Sequence, residues 1–378
     1  MTEGYFDPEA CDIDDFARQV SRQTDPASLR FASDVIHEVP VYDAARLELA
    51  GPERRALMAE WARVMLREAG VVVLRGAVTD HAALDRATEI FEAIIARERA
   101  QGRASADHFA KGTNDRVWNS LQKLCLADPV CFAACFGAPA LDAVCEAWLG
   151  PGYQMTAQVN LVHPGGAAQE AHRDYHLGFM TPEVVARYPA HVHDLSPVLT
   201  LQGAVAHCDM PVESGPTKLL PFSQSYRPGY VAWRRPEFRA YFEEHCVQLP
   251  LAKGDALFFN PALFHAAGAN RTTDIHRMAN LLQISSAMGL PLESVDRRAM
   301  CKALYPVLCQ MAAGPARDAA IAACGDGYSF STNLDTDPPV GGLAPETQAA
   351  LTHRALAERM SRAEYEAALD AQAARRRA

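Results

Sequence analysis

No run of about eighteen apolar residues occurs anywhere in the chain, so no membrane span is expected. The opening Met1-Thr2-Glu3-Gly4-Tyr5-Phe6-Asp7 lacks the basic and apolar stretches of a secretory leader, which points to a cytoplasmic protein. Basic residues are in deficit. Lys and Arg number 36 against 46 Asp and Glu, a formal net charge of −10 that disfavours nucleic acid and anionic membrane as partners. Ten cysteines are present without one C-x-x-C pair, and Cys131 and Cys135 sit in an apolar run; they read as buried free thiols rather than disulfides or a zinc site. Internal repeats and low-complexity segments are missing as well. What remains is a globular composition, 49% hydrophobic and 22% charged over 378 residues, with ample material for a core.

The texture of the chain changes twice. Residues 1–45 show little periodicity and are expected as loops and turns. Leu57, Trp61, Val64 and Met65 then recur at helical spacing and stop at Gly70; Val71-Val72-Val73-Leu74 reads as a short buried strand. A second helix, capped by Thr79 or Asp80, runs through Leu84, Ala87, Ile90, Phe91 and Ile94. Helices are also expected at 118–126 and 139–149, the latter ended by Gly150-Pro151-Gly152. From 153 short β runs alternate with Gly and Pro: 153–162, 197–208, 217–221, 246–251, 256–259 and 277–286. That rhythm marks a sandwich or jelly roll. In the first run Gln154, Thr156, Gln158 and Asn160 share a face, as a pocket wall would require. Helix returns at 295–312 and as one last helix from Pro345 to about Ala374. The expected architecture is a single domain, a mainly β jelly-roll core over 153–286 buttressed by helices from 1–152 and 287–378.

The chemistry gathers around Ala171-His172-Arg173-Asp174-Tyr175-His176. On a strand, His172 and Asp174 project to the same face and make two adjacent ligands for a divalent metal. A third ligand is offered by His265, in Gly254-Asp255-Ala256-Leu257-Phe258-Phe259-Asn260-Pro261-Ala262-Leu263-Phe264-His265. Two histidines and one carboxylate with open positions form the facial triad of non-haem Fe(II) oxygenases. Taken alone, H-x-D is weak and a surface His–Asp pair is the plainer reading. The distant histidine in its Gly-Asp-x-x-x-Phe context, followed by an arginine, reverses that balance.

Two arginines follow His265. Arg271 lies among the turn formers of Gly268-Ala269-Asn270-Arg271-Thr272-Thr273 and is expected on an exposed loop; Arg277 opens the next strand, where it can point inward. A guanidinium grips a carboxylate with two parallel hydrogen bonds, so Arg277 suits a co-substrate acid. Among other histidines, His191 and His193 are read as exposed or hydrogen-bonded, and Asp209 beside His207 as used locally in a turn. Lys111, Asn114, Trp118, Arg173, Tyr175 and His176 are candidates to line the pocket, each with an equally plain structural alternative. Their polarity suggests a small polar or anionic substrate rather than a long acyl chain.

These pieces together resemble the phytanoyl-CoA dioxygenase family of Fe(II)/2-oxoglutarate oxygenases. The matching segments are His172-Arg173-Asp174; Asp209-Met210-Pro211-Val212-Glu213-Ser214-Gly215-Pro216-Thr217, similar to the family's D-x-x-x-E-N-G-P; His265 through Arg277; and the strand at 70–76. Ser214 stands where asparagine is usual, and Ala267 where a small polar residue often sits. The resemblance implies a cupin-like double-stranded β-helix with iron on His172, Asp174 and His265. It implies 2-oxoglutarate on Arg277; Gln158, Asn160 and Thr217 are candidates to lie beside that co-substrate, and Trp118, Arg173, Tyr175 and His176 to meet the substrate. The reaction it implies consumes dioxygen and 2-oxoglutarate, releases succinate and carbon dioxide, and hydroxylates an unactivated C–H bond of a small molecule. Two alternatives are a cupin-type metal-dependent isomerase or hydrolase, and a metal-free binding protein. A halogenase is disfavoured because Asp174 occupies the position that chloride would need. The helices beyond 286 match nothing in the family; a substrate lid and a homo-oligomer contact both stand open for them.

Overall fold

Strands form where β-branched and aromatic residues alternate between two environments. There are ten among the described residues: β1 (Asp34–Ile36), β2 (Val39–Asp43), β3 (Val71–Arg75), β4 (Asp115–Val117), β5 (Gln154–Val162), β6 (Thr200–Ala206), β7 (Lys218–Leu220), β8 (Ala256–Phe259), β9 (Phe264–Ala266) and β10 (Arg277–Ser285). The computed structural model describes residues 4–102, 114–174, 180–339 and 341–377. Eight strands make one sheet in the order β1-β2-β3-β8-β6-β10-β5-β4, and β7 pairs with β9 in a second. The large sheet is mixed, since β2 and β3 run parallel while β10 is antiparallel to both β5 and β6. Single bridges widen the small sheet on both sides, Leu219 to Val247 and His172 to His265.

β10 sits between β5 and β6 and divides the molecule. Met278, Leu282 and Ile284 point into the main hydrophobic core, whereas Ala279, Leu281, Gln283 and Ser285 face a cavity. β5 does the same, sending Met155, Val159 and Leu161 to the core and Gln158 and Asn160 to the cavity. The period of two expected for 153–162 is therefore present, although Gln154 is spent on the carbonyls of Ser286 and Gly289 at 2.9 and 2.8 Å. Helices pack into the core side. Arg54–Arg67 buries Leu57, Trp61, Val64 and Met65, and Arg297–Leu308 buries Met300, Leu304, Tyr305 and Leu308. No single helix among the described residues is long and apolar enough to cross a membrane. All ten cysteines are free thiols, most of them buried, with Cys309 exposed.

Three expectations need correction. The segment before 153 is more than a helical buttress, because β1 to β4 supply half of the large sheet. Within it residues 34–43, expected as loops and turns, carry β1 and β2, and β2 accommodates Pro40 with only the three-residue β1 beyond it. Residues 246–251 contribute bridges at Val247 and Leu251 rather than a strand. The last helix is two, Gln348–Glu358 and Arg362–Arg375, broken where Arg359 takes a φ of 55° and Ser361 forms a capping box with Glu364. The C-terminal helices buttress the core: Ile321, Leu351, Tyr365 and Leu369 are buried in it, and no described residue beyond Leu292 lines the cavity.

His207 has a structural place. It is buried against Phe91, with ring centroids 5.8 Å apart, and its Nδ1 lies 2.9 Å from the Thr88 hydroxyl. Burial, with Lys253 adding to it, pushes its pKa from 6.5 down to about 4. As pH falls the unfolded chain takes up this proton first, so the stability His207 confers is intact above about 6.5 and drains away toward 4. Burial lowers His265 in the same direction. Denaturant midpoints of the wild type should therefore fall across that window, and those of His207→Gln should fall less steeply. Equal slopes would contradict this account of His207.

Candidate active site

The three predicted ligands meet although His265 is distant in sequence. His172 and His265 exchange backbone hydrogen bonds, His172 N to His265 O at 3.0 Å and His265 N to His172 O at 3.1 Å. Their ring centroids are 4.4 Å apart. Asp174, two residues on, is tied by its own N–H to Pro261 O at 3.1 Å, and its main-chain carbonyl accepts from the Tyr230 hydroxyl at 3.0 Å. Its carboxylate lies 3.8 Å from His172 Nε2 and 3.7 Å from His265 Nε2. One ligand atom from each residue falls within 4.8 Å of the others, a spread that one divalent ion with bonds of roughly 2.1 Å can close with small side-chain adjustments.

The protonation pattern suits a metal. Nδ1 of His172 is 2.8 Å from Glu170 O, and Nδ1 of His265 is 2.9 Å from Leu263 O. A carbonyl only accepts, so each Nδ1 carries the hydrogen and each Nε2 keeps its lone pair for the ion. Burial, with His172 adding to it, holds His265 well below its ordinary value and so neutral at physiological pH. Gln202, on β6, donates through Nε2 to Asp174 Oδ2 and lies 3.3 Å from Gln283 Oε1. It anchors Oδ2, the oxygen nearer His265, while Oδ1 faces His172.

The same three residues line a cavity of about 580 Å³ that also receives Arg277, Gln158, Asn160, Thr217 and Trp118. Arg277 is buried, with Nη1 on the carbonyls of Ser214 and Gly268 at 3.2 and 3.4 Å and no carboxylate in ion-pair range among the described residues. Burial lowers its pKa to about 10, which still leaves it cationic at neutral pH. Gln158 is held by Arg116 Nη1 at 2.9 Å; Asn160 Oδ1 is buried with no hydrogen-bond partner among the described residues. Arg271 is exposed on its loop, as its turn formers required.

Arg173 is held by protein partners. Though it reaches the cavity wall, it is buried on the face opposite His172 and Asp174, donates to Ser223 O, and lies over the rings of Phe264 and Tyr230 at 5.0 and 5.3 Å. The alternation that aligns the two metal donors necessarily turns Arg173 away. Asn114 is buried outside the cavity lining. Tyr175, His176 and Lys111 lie outside the described residues. Sequence reasoning missed Gln202, Tyr230, Trp233 and Arg234. Only the placement of Gln202 in an otherwise apolar strand could have signalled a role.

Such a donor set, beside a buried arginine in a cavity walled by a large sheet, could hold a single metal ion. The chain belongs to the phytanoyl-CoA dioxygenase (PhyH) family, whose model matches residues 66–279. The family's description is that of a dioxygenase, and His172, Asp174 and His265 are the donors that could hold its metal ion. Dioxygenase andF of Emericella variicolor is 30% identical over 172 residues, 42% of this chain and 54% of its own length. The chain thus spans about half of that relative. Among solved structures, the non-haem α-ketoglutarate-dependent epimerase SnoN from nogalamycin biosynthesis is 18% identical over 62% of this chain and 85% of its own, with a TM-score of 0.40. The carbocyclase SnoK is 19% identical over 65% and 91%, with a TM-score of 0.41.

Gln202→Leu should release the Asp174 carboxylate without touching a ligand. Outer partners of this kind are worth roughly 10–100-fold in metal affinity. Anaerobic Fe(II) titration should show a loss of that order with near-native folding, and an unchanged affinity would remove Gln202 from the site.

Proposed function

We propose that this enzyme hydroxylates an unactivated C–H bond of a small polar or anionic metabolite, from a single domain whose core is a double-stranded β-helix. One observation carries the reading: three convergent metal donors and a buried arginine with only carbonyl partners line the same cavity. β5, β6 and β10 of the large sheet form one wall, while β9 and Thr217 beside β7 contribute from the small sheet. Two sheets facing across a site support the jelly-roll reading.

Iron(II) bound with 2-oxoglutarate and dioxygen supplies the oxidation, with succinate and carbon dioxide as co-products. His172, Asp174 and His265 would hold it, presenting two lone pairs and one carboxylate from a single side. The remaining donors of Arg277 are available to the distal carboxylate of 2-oxoglutarate, because Nη1 alone is engaged by the two carbonyls. Gly215 makes that cradle. Its φ is 74°, and a Cβ there would come 2.3 Å from Ala269 O, so only glycine lets the 209–217 loop close on 268–269 and present Ser214 O. Leu251, Phe259 and Leu281 give the cavity apolar walls that limit water around the metal.

Arg277→Ala should lose on the order of 2–5 kcal/mol of 2-oxoglutarate binding while iron binding survives, because a buried charge pair is removed. Arg271→Ala, altering an exposed loop, should be mild. Anaerobic titration of 2-oxoglutarate into both Fe(II)-loaded variants decides between them. Loss of binding in Arg271→Ala alone would overturn the assignment.

A further inference from the structure

Besides Arg277, the cavity wall carries Arg234, a guanidinium with no acid in ion-pair range among the described residues. Arg234 is half-buried, donates through Nη2 to Met180 O at 2.7 Å, and lies over the Trp233 ring at 4.0 Å. The other charges that line the cavity are already engaged. Arg173 is fixed on Ser223 O and two rings, Arg116 holds Gln158, Glu170 pairs with Arg239 at 3.1 Å, and Asp174 belongs to the metal set. Arg239 also lies over Trp233, at 5.7 Å, so two guanidiniums share one indole and only one of them has a carboxylate. Arg234 is disfavoured as a cation by burial and by Arg239, while the exposed Glu183 acts on it only through space. An aromatic platform, a carbonyl that fixes one nitrogen and a remaining free edge make a receptor for a planar or tetrahedral oxyanion.

The place of this pair relative to the metal gives it meaning. Trp233 lies edge-on to His172 with ring centroids 6.4 Å apart, so a single indole separates the guanidinium from a metal ligand. We propose that Trp233 and Arg234 form the subsite that receives an oxyanion of the primary substrate, a carboxylate or phosphate, and set the reacting carbon against the metal. The proposal rests on the oxygenase reading above and narrows its substrate class to anionic molecules. Arg277 and Arg234 then serve different acids, the co-substrate and the substrate.

Calorimetric titration tests it on the full chain loaded with Mn(II) and saturating 2-oxoglutarate, which occupies Arg277. The probes are benzoate, phenyl phosphate and benzamide, one ring with three head groups. One or both anions should bind at least about tenfold tighter than benzamide, the value of one charge-assisted hydrogen bond, and the stronger anion identifies the head group. Arg234→Met should erase that preference, Arg234→Lys should restore part of it, and 2-oxoglutarate affinity should be unchanged in both. Equal binding of benzamide and the anions, a preference that survives Arg234→Met, or no binding of any probe at millimolar concentration would overturn the subsite. Failure of 2-oxoglutarate to bind the wild type would contradict the oxygenase reading instead, and an Arg234-dependent anion preference seen in that case would still support the subsite.

Discussion

Two reciprocal backbone hydrogen bonds, His172 to His265 and back, hold the site together. They join segments far apart in sequence, so their partners must be delivered by everything between. β8 carries the chain across the large sheet, the turn at Asn260 reverses it, and β9 aligns on β7 with Leu219 opposite His265. The turn is itself pinned, with Asn260 Nδ2 on Met65 O at 3.1 Å and Asn260 N on Gly70 O at 2.9 Å. The helix Arg54–Arg67 and the start of β3 thereby help set where His265 stands. Once the pair forms, alternation places Asp174 on the same face, and carbonyls orient both imidazoles without help from charged groups.

The large sheet separates two demands that conflict. A stable core wants dry apolar contacts, whereas a site for a metal, an acid and a substrate wants polar groups with unmet hydrogen-bonding capacity. β5 and β10 meet both by sending alternate residues to opposite faces, and the helices Arg54–Arg67 and Arg297–Leu308 pack on the core side. The polar groups on the other face stay incompletely partnered by protein. Arg277 has carbonyls and no carboxylate among the described residues, and Asn160 Oδ1 has no hydrogen-bond partner among them. Groups kept this way in a buried place are poised for ligands.

The parts of this arrangement that follow local rules were legible in the sequence. The H-x-D spacing, the strand opening at Arg277, the turn formers around Arg271 and the helix over Leu57 to Met65 all rest on period and turn chemistry. What stayed hidden depends on contacts between distant segments. Gln202 looks like one polar residue in a strand until Asp174 is brought to it. Arg173 reaches the cavity wall as its neighbours in sequence suggested, but the same alternation that aligned those neighbours put its guanidinium over Phe264 and Tyr230. β2 was hidden in a segment with little periodicity, and the break between the last two helices by reading past the Ser361-x-x-Glu364 cap. Trp233 and Arg234 lie between short helical segments with no periodic signal, so nothing local marked them as part of the cavity wall.

The central claim is that one iron sits on His172, Asp174 and His265. Metal analysis after anaerobic equilibration with Fe(II) tests it directly, on wild type and on the three single alanine variants, with folding checked by circular dichroism. The account predicts about one iron per wild-type chain and a marked loss in each folded variant. Wild-type-like iron content in both His172→Ala and His265→Ala would contradict it.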